Sequence, residues 1–224
     1  RELLQGRGVD RALYASGRAF EVDAAKMLEK GKLMSIRPHT RFAPFPRHSH
    51  NYVEIMYMCL GKTVHRIDGD ALVTLEAGEL LFLNRHASHA IQRADAGDIA
   101  VNFIVLPQFF DEAFNMAGMD NVLSRFLLGE LYTGGAAVSY LHFRVREVLP
   151  VQNLVENMVW TLVNRQPGAR RINQVTMGLL LLQLMQYTEC IDMSRNGSIR
   201  SPRYGKSKRT TVRRASPMWR LHFM

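Results

Sequence analysis

The sequence predicts a mainly β fold that ends in helices, and three observations predict it. Short apolar runs of strand length recur from about Leu33 to Leu106, punctuated by turn signals at 68–70 ("DGD") and 76–78 ("EAG"). At Pro107 the apolar period changes to a helical one that continues to about residue 192. With 224 residues, 47% of them hydrophobic, the chain can bury one good core and a small second subdomain.

In order along the chain, residues 1–34 form an N-terminal arm in which "AAKMLEKGKL" at 24–33 is either a short helix or part of the arm itself. "LMSIRP", "YVEIMYMCLG", "KTVHRID", "ALVTL", "ELLFL" and "IAVNFIVL" are the strands of an all-β sandwich or barrel. "PQFFDEAFNMA" and "NVLSRFLLGELY" then read as helices, the second capped by Asp120 or Asn121. "GGAAVS" at 134–139 is a loop and "YLHFRV" one more strand. The helix at 149–164 sets Val151, Leu154, Val155, Met158, Val159 and Leu162 on one stripe. A last helix, roughly 171–192, is apolar on two faces and must bury both, one of them on a partner subunit.

Charge and cysteine content exclude several function classes. The net charge of +9 is confined to the end: nine of the 29 Lys and Arg lie at 194–224, a stretch with no Asp or Glu, and the other 20 match the 20 acidic residues. The body therefore carries no basic bias, and attraction to phosphate rests on a tail whose composition predicts a solvated, disordered end. Two cysteines, Cys59 and Cys190, argue against a disulfide framework and for a reducing cytoplasm. No apolar run is long enough to span a bilayer and no leader opens the chain, so no membrane partner is expected.

The stretch "HSHNYVEIMYMCLG" at 48–61 carries the chemistry. In an unbroken strand His48, His50, Tyr52, Glu54, Met56 and Met58 share one face. His89 follows an apolar strand and a sharp turn and can fold back to face them. Three imidazoles and one carboxylate suit a divalent first-row metal with open positions. The bland alternative is a polar barrel mouth held together by hydrogen bonds. By parity or adjacency Tyr52, Met56, Arg66 and Asn102 line the same cavity as His48, His50, Glu54 and His89. His86 reads as a turn residue, and the facing of His65 stays open.

This pattern resembles the cupin superfamily, double-stranded β-helix barrels of the jelly-roll kind. His48, His50, Glu54 and Gly61 fit the first cupin motif, with Phe42 at its leading glycine; Gly78 and His89 fit the second, with Asn84, His86 and Arg93 at its Pro, Gly and Asn. The four positions that hold metal in metal-binding cupins are thus present, and a divalent transition metal is the only cofactor the resemblance implies. A barrel followed by a strongly apolar helical pair is similar, more narrowly, to the sensor and dimerisation half of AraC-type transcription regulators. The matching segments are "PFPRHSHNYVEIMYMCLGKTVHRIDGD", "LEAGELLFLNRHASHAI" and "DIAVNFIVLPQFFDEAF", extended by both long helices to about residue 192.

That resemblance implies a cytoplasmic homodimer and no enzyme. Residues 35–106 are then an effector-binding barrel for a small metabolite, for example a carbohydrate. Residues 107–193 are a helical linker and dimerisation subdomain, and 194–224 a basic tail. No helix-turn-helix pattern follows Ser194, so the DNA-binding domain is expected to be absent or truncated. DNA contact is then left to nonspecific attraction by the tail. The competing reading is a metal-dependent cupin enzyme of the isomerase or dioxygenase type.

Overall fold

The computed structural model describes residues 9–15 and 20–193, and its strands end where the turn signals fall. The "DGD" turn, for example, takes positive φ at Asp68 (50°) and Gly69 (95°). Strand β1 (Glu21–Val22) and helix α1 (Ala24–Met27) precede β2 (Met34–Pro38), β3 (Phe45–His50), β4 (Val53–Leu60) and β5 (Lys62–Ile67). Next come β6 (Ala71–Glu76), β7 (Leu80–Leu83), β8 (Ser88–Ile91) and β9 (Ile99–Val105). A 3-10 turn at Pro107–Phe110 leads into α2 (Asp111–Ala117) and α3 (Val122–Leu128). The hairpin β10 (Tyr132–Thr133) and β11 (Ala136–Ala137) precedes β12 (Tyr140–Phe143), α4 (Leu149–Val163), α5 (Ala169–Met185) and β13 (Ile191–Met193).

Among the described residues the strands form two facing sheets, in the orders β1-β3-β8-β5-β6 and β13-β12-β7-β4-β9-β2, and a separate two-stranded β10-β11 sheet. Consecutive strands repeatedly change sheet, as a jelly-roll barrel requires. The second sheet is covered on both sides, so β4 is buried from Val53 to Cys59. Its two faces serve different cores. Val53, Ile55, Tyr57 and Cys59 join Leu80, Phe82, Phe103 and the apolar stripes of α4 and α5 in one core. Met56 and Met58 point the other way, into the barrel, with Ile67, Leu75, Leu81 and Leu83. Each such side chain contributes roughly 1.5–3 kcal/mol through burial.

The helical layer follows its sequence signals. Asn121 caps α3, its side chain accepting from the Ser124 amide, and Gly129 ends it in the left-handed conformation. On α4, Val151, Val155, Met158 and Val159 are buried, while Leu154 and Leu162 pack at the margin.

Three local expectations need correction. The stretch 48–60 is not one strand: it bends at Asn51–Tyr52, so β3 and β4 lie in opposite sheets. Asn51 is committed to that bend, accepting from the Ala24 amide at 2.9 Å and donating to Asp23 Oδ1 at 3.2 Å. The loop at 134–139 contains a hairpin, because Gly134 and Gly135 both take positive φ and let Thr133 pair with Ala136. The last helix stops at Met185 rather than near 192, and Ile191–Met193 pairs with β12 as an edge strand. A run of three residues carries no period that could have separated strand from helix. The N-terminal arm is described only from residue 9, and the basic tail at 194–224 lies outside the described residues.

Candidate functional site

The inner faces of the two sheets meet in a polar layer between two apolar clusters. One cluster, including Met56, Met58, Ile67, Leu81 and Tyr140, fills one end of the barrel. The other, including Val22, Met27, Phe45, Tyr52, Ile91 and Ile104, closes the opposite end with help from residues 20–28. Phe20 stacks on Phe45 and tilts against His48, with centroid distances of 5.6 and 5.7 Å. Between the clusters lie His39, His48, His50, Glu54, His65 and His89, all buried, with Asn102.

The register of the strands places them. β3 and β8 are antiparallel with His48 opposite His89, and β5 sets His89 opposite Ile67. Glu54 enters from β4 in the facing sheet. His50 Nε2 and His89 Nε2 lie 3.6 and 3.4 Å from Glu54 Oε2. Ligand atoms of His50, Glu54 and His89 all fall within 4.8 Å of one another. His48 stands beside them, its ring 4.2 Å from that of His89, but its Nδ1–H is given to the Pro46 carbonyl at 2.9 Å.

Burial governs the protonation of this layer. Desolvation pushes His50 down to about 4, against the partial opposing pull of Glu54. Desolvation likewise lowers His39 and His48, and lowers His65 and His89 well below the ordinary histidine value. The imidazoles are therefore neutral at pH 7, which is the form that ligates a metal. Burial also pushes the Tyr52 phenol well up, so it remains a neutral ring stacked on His50 at 4.9 Å.

The donor set fits a divalent ion. A tetrahedral ion with bonds of about 2.0–2.1 Å holds its ligand atoms roughly 3.3 Å apart, close to the spacing of Glu54 Oε2 from both imidazoles. His50 Nε2, His89 Nε2 and Glu54 Oε2 are buried without a hydrogen-bond partner. The outer contacts are those of an oriented ligand shell: His50 Nδ1–H donates to the Tyr52 carbonyl at 3.2 Å, and Asn102 Nδ2 donates to Glu54 Oε1 at 2.8 Å. An ion held there would supply a charged anchor, or Lewis acidity, for an oxygen-bearing small molecule.

Of the residues expected to line one cavity, His48, His50, Glu54, His89 and Asn102 come together. Tyr52 belongs to the apolar cap beside them, and Met56 to the apolar cluster at the other end. Arg66 is a correction. Thr63, His65 and Ile67 are the inward set of β5, so Arg66 is exposed, within 3.5 Å of the Gly69 carbonyl. His39 escapes the sequence reading because it follows Pro38 outside any periodic run. The inward facing of His65 follows from β5 parity once Ile67, rather than Val64, is the inward guide. His86 is an exposed turn residue, as expected.

The comparisons with known proteins bear on this barrel. The family of AraC-like ligand binding domains matches residues 35–114. The matched stretch runs from barrel strand β2 into α2. Apo ToxT from Vibrio cholerae resembles the chain at a TM-score of 0.52 and 11% identity, over 71% of this chain and 58% of ToxT. At that identity the likeness is one of fold, and the chain spans little more than half the length of ToxT. A cupin protein from Bacteroides fragilis is 28% identical over 33% of this chain and 64% of its own, with a TM-score of 0.28. A predicted oxalate decarboxylase from Thermotoga maritima is 23% identical over the same shares, also at 0.28. No curated protein matches the sequence. Among the described residues no helix is long and apolar enough to cross a membrane.

In this barrel the departures from the cupin pattern have physical roles. Phe42, at the leading-glycine position, takes a φ of 69°, the left-handed conformation that glycine adopts without cost. Asn84, at the proline position, donates to the Phe126 and Val138 carbonyls at 3.2 and 2.8 Å, tying the barrel to the α3 region. The two glycines that fit are required by close packing. A Cβ on Gly61 would lie 2.8 Å from the Gly97 carbonyl, and one on Gly78 2.8 Å from Arg146 Cα.

Proposed function

We propose that this chain is the effector-sensing and dimerisation module of an AraC-type transcription regulator acting in the cytoplasm. One observation carries the reading: an AraC-like ligand binding domain keeps a buried layer of imidazoles and a carboxylate whose facing atoms lack partners. Buried polar groups left open in this way need a ligand, an ion or water to satisfy them. The effector is a small metabolite seated on this layer, where it must satisfy imidazole lone pairs and a carboxylate.

Dimerisation is assigned to α5. Its buried face holds Met177, Leu180, Leu181 and Leu184, while Ile172, Val175 and Leu179 stand exposed on the other side. Exposed Met116 of α2 extends that stripe, because Gly178 leaves the space in which its sulfur rests. The boundaries follow: an arm at 1–34, a barrel at 35–106, a dimerisation subdomain at 107–193 and a basic tail at 194–224. The tail's part in DNA binding is limited to nonspecific phosphate attraction.

A second reading, a metal-dependent cupin enzyme, draws on the same three ligands and on His39 and His65 as neighbouring neutral bases. A thermal-shift screen with sugars and divalent metals tests the first reading, since a ligand of the folded state alone must raise the midpoint. Saturable stabilisation together with a dimer in sedimentation is the expected result. A monomer that turns its ligand over would instead establish the enzyme.

A further inference from the structure

Among the described residues, six buried polar atoms of the barrel layer lack hydrogen-bond partners: His39 Nε2, His50 Nε2, Glu54 Oε2, His65 Nδ1 and both ring nitrogens of His89. Whether they present protons or lone pairs decides what they can bind, and the neighbouring bonds fix the answer for three of them. Asn102 gives its amide N–H to Glu54 Oε1 at 2.8 Å, because a carboxylate oxygen accepts. Its carbonyl oxygen is thereby turned to His39 and must accept, so His39 carries its proton on Nδ1, 3.0 Å away. His39 Nε2 is then a bare lone pair. His50 has the same tautomer, its Nδ1–H spent on the Tyr52 carbonyl, so its Nε2 is bare as well. With Glu54 Oε2 these are acceptors only. Among the described residues, the buried polar side chains include no Lys or Arg to offset them.

We propose that His39, acting through Asn102 as a positioning residue, fixes this polarity and makes the barrel selective for a cation. The class is a compact positive charge, supplied by a divalent first-row metal or by an organic ammonium. Against the single N–H that neutral His89 carries, an anion would meet a carboxylate and the lone pairs of His39 and His50 in a low-dielectric interior, and a neutral sugar would leave the Glu54 charge unmatched. The inference rests on the barrel being the effector site and adds the effector's charge. It also gives His39, which lies outside the cupin motifs, a specific role. Without its N–H the Asn102 amide is free to turn and Glu54 loses its orientation. Shells of this kind hold metal affinity within wide limits, and losing one member costs about 10–100-fold.

The test uses the full chain, stripped with EDTA and dialysed. Cobalt(II) chloride, ethylammonium chloride, sodium acetate and methyl glucoside are titrated separately, with thermal midpoint as the common readout and the visible cobalt band as a second. Cobalt or ethylammonium should raise the midpoint, and acetate and glucoside should not. The cobalt band separates a metal ligand from an organic one. His39→Leu should weaken the bound cation about 10–100-fold. His39→Asn, whose amide N–H can replace Nδ1–H, should stay within a few-fold of the parent. Should His39→Leu not fold, Asn102→Ser breaks the same bridge and the same loss is expected. Parental affinity in His39→Leu or Asn102→Ser would overturn the positioning role. Stabilisation by acetate or glucoside without any by the two cations would overturn the cation class and leave the effector reading standing. Failure of all four probes would overturn the inference, whereas cation binding by a chain that sediments as a monomer would overturn the effector and dimerisation reading alone.

Discussion

Acid should unfold this protein through its barrel, and the size of the effect can be worked from His50. Its folded-state value is about 4 against an ordinary 6.5. A histidine depressed in this way contributes stability that is fully present above pH 6.5 and is lost as pH falls toward 4, because the unfolded chain takes up a proton that the folded one refuses. Two and a half pH units at about 1.4 kcal/mol each give roughly 3 kcal/mol from this one ring. His39, His48, His65 and His89 are lowered in the same direction by burial, so the total loss must exceed that of His50 alone. A domain typically holds about 5–15 kcal/mol in all, so a large share should be gone by pH 4.5. Urea unfolding in EDTA at half-unit steps from pH 7.5 to 4.5 measures it. Stability should fall by more than about 1.4 kcal/mol per pH unit below pH 6, as for uptake of more than one proton. His50→Gln should make that slope shallower by about one proton's worth. A flat profile down to pH 4.5 would refute the neutral, desolvated histidine layer.

Other perturbations probe separate parts of the fold. Leu179→Glu places a charge in the exposed stripe of α5 and should shift sedimentation toward monomer while leaving the thermal midpoint within a few degrees. Gly78→Ala forces a Cβ against Arg146 at a φ of +87° and should cost about 2–4 kcal/mol in urea unfolding, adding left-handed strain to overpacking. Phe42→Gly relieves a left-handed φ and should be neutral or stabilising by about 1 kcal/mol, despite losing the Arg41 guanidinium stacked 5.4 Å from the ring. Glu54→Gln should abolish cobalt binding, read as loss of the visible band in the stripped and reloaded protein.

Much of the barrel was legible because it is written in short apolar runs between turn signals, alternating in β5 and β6 and apolar almost throughout in β4, β7 and β9. β2, β4, β5, β6, β7 and β9 fall on runs recognised in the sequence, and β12 on another. The inward parity of His48, His50 and Glu54 survives a break in the strand that should have destroyed it. β3 and β4 belong to opposite sheets, yet the bend at Asn51–Tyr52 turns the chain so that both inner faces still meet. The parity rule reached the right residues by a route the fold does not take. Arg66 fails by the same rule, since a slip of one residue on β5 exchanges its faces. His39 could not be found this way. Its place depends on its amide bonding to Ala100 at 2.9 Å and on Asn102, both on the neighbouring strand β9 and far away in sequence.

The effector reading requires that the ligand layer and the helical face feel one another, and β4 is where they meet. Glu54 and Met56 look into the barrel, while Ile55 and Tyr57 pack under the helices, with the Tyr57 hydroxyl 3.5 Å from Glu156 of α4. The two faces alternate residue by residue on a strand hydrogen-bonded to β7 and β9 on either side. Such a strand cannot tilt one face without the other, because its neighbours hold it along its length and both sides are close-packed. A ligand that pulls on Glu54 therefore acts one peptide away from the core that seats α4 and α5. Energy passes only if the ligand prefers one of two arrangements of that strand. The unpartnered Glu54 Oε2 gives a reason for such a preference, since the arrangement that brings it to a ligand satisfies a buried oxygen that is otherwise left open.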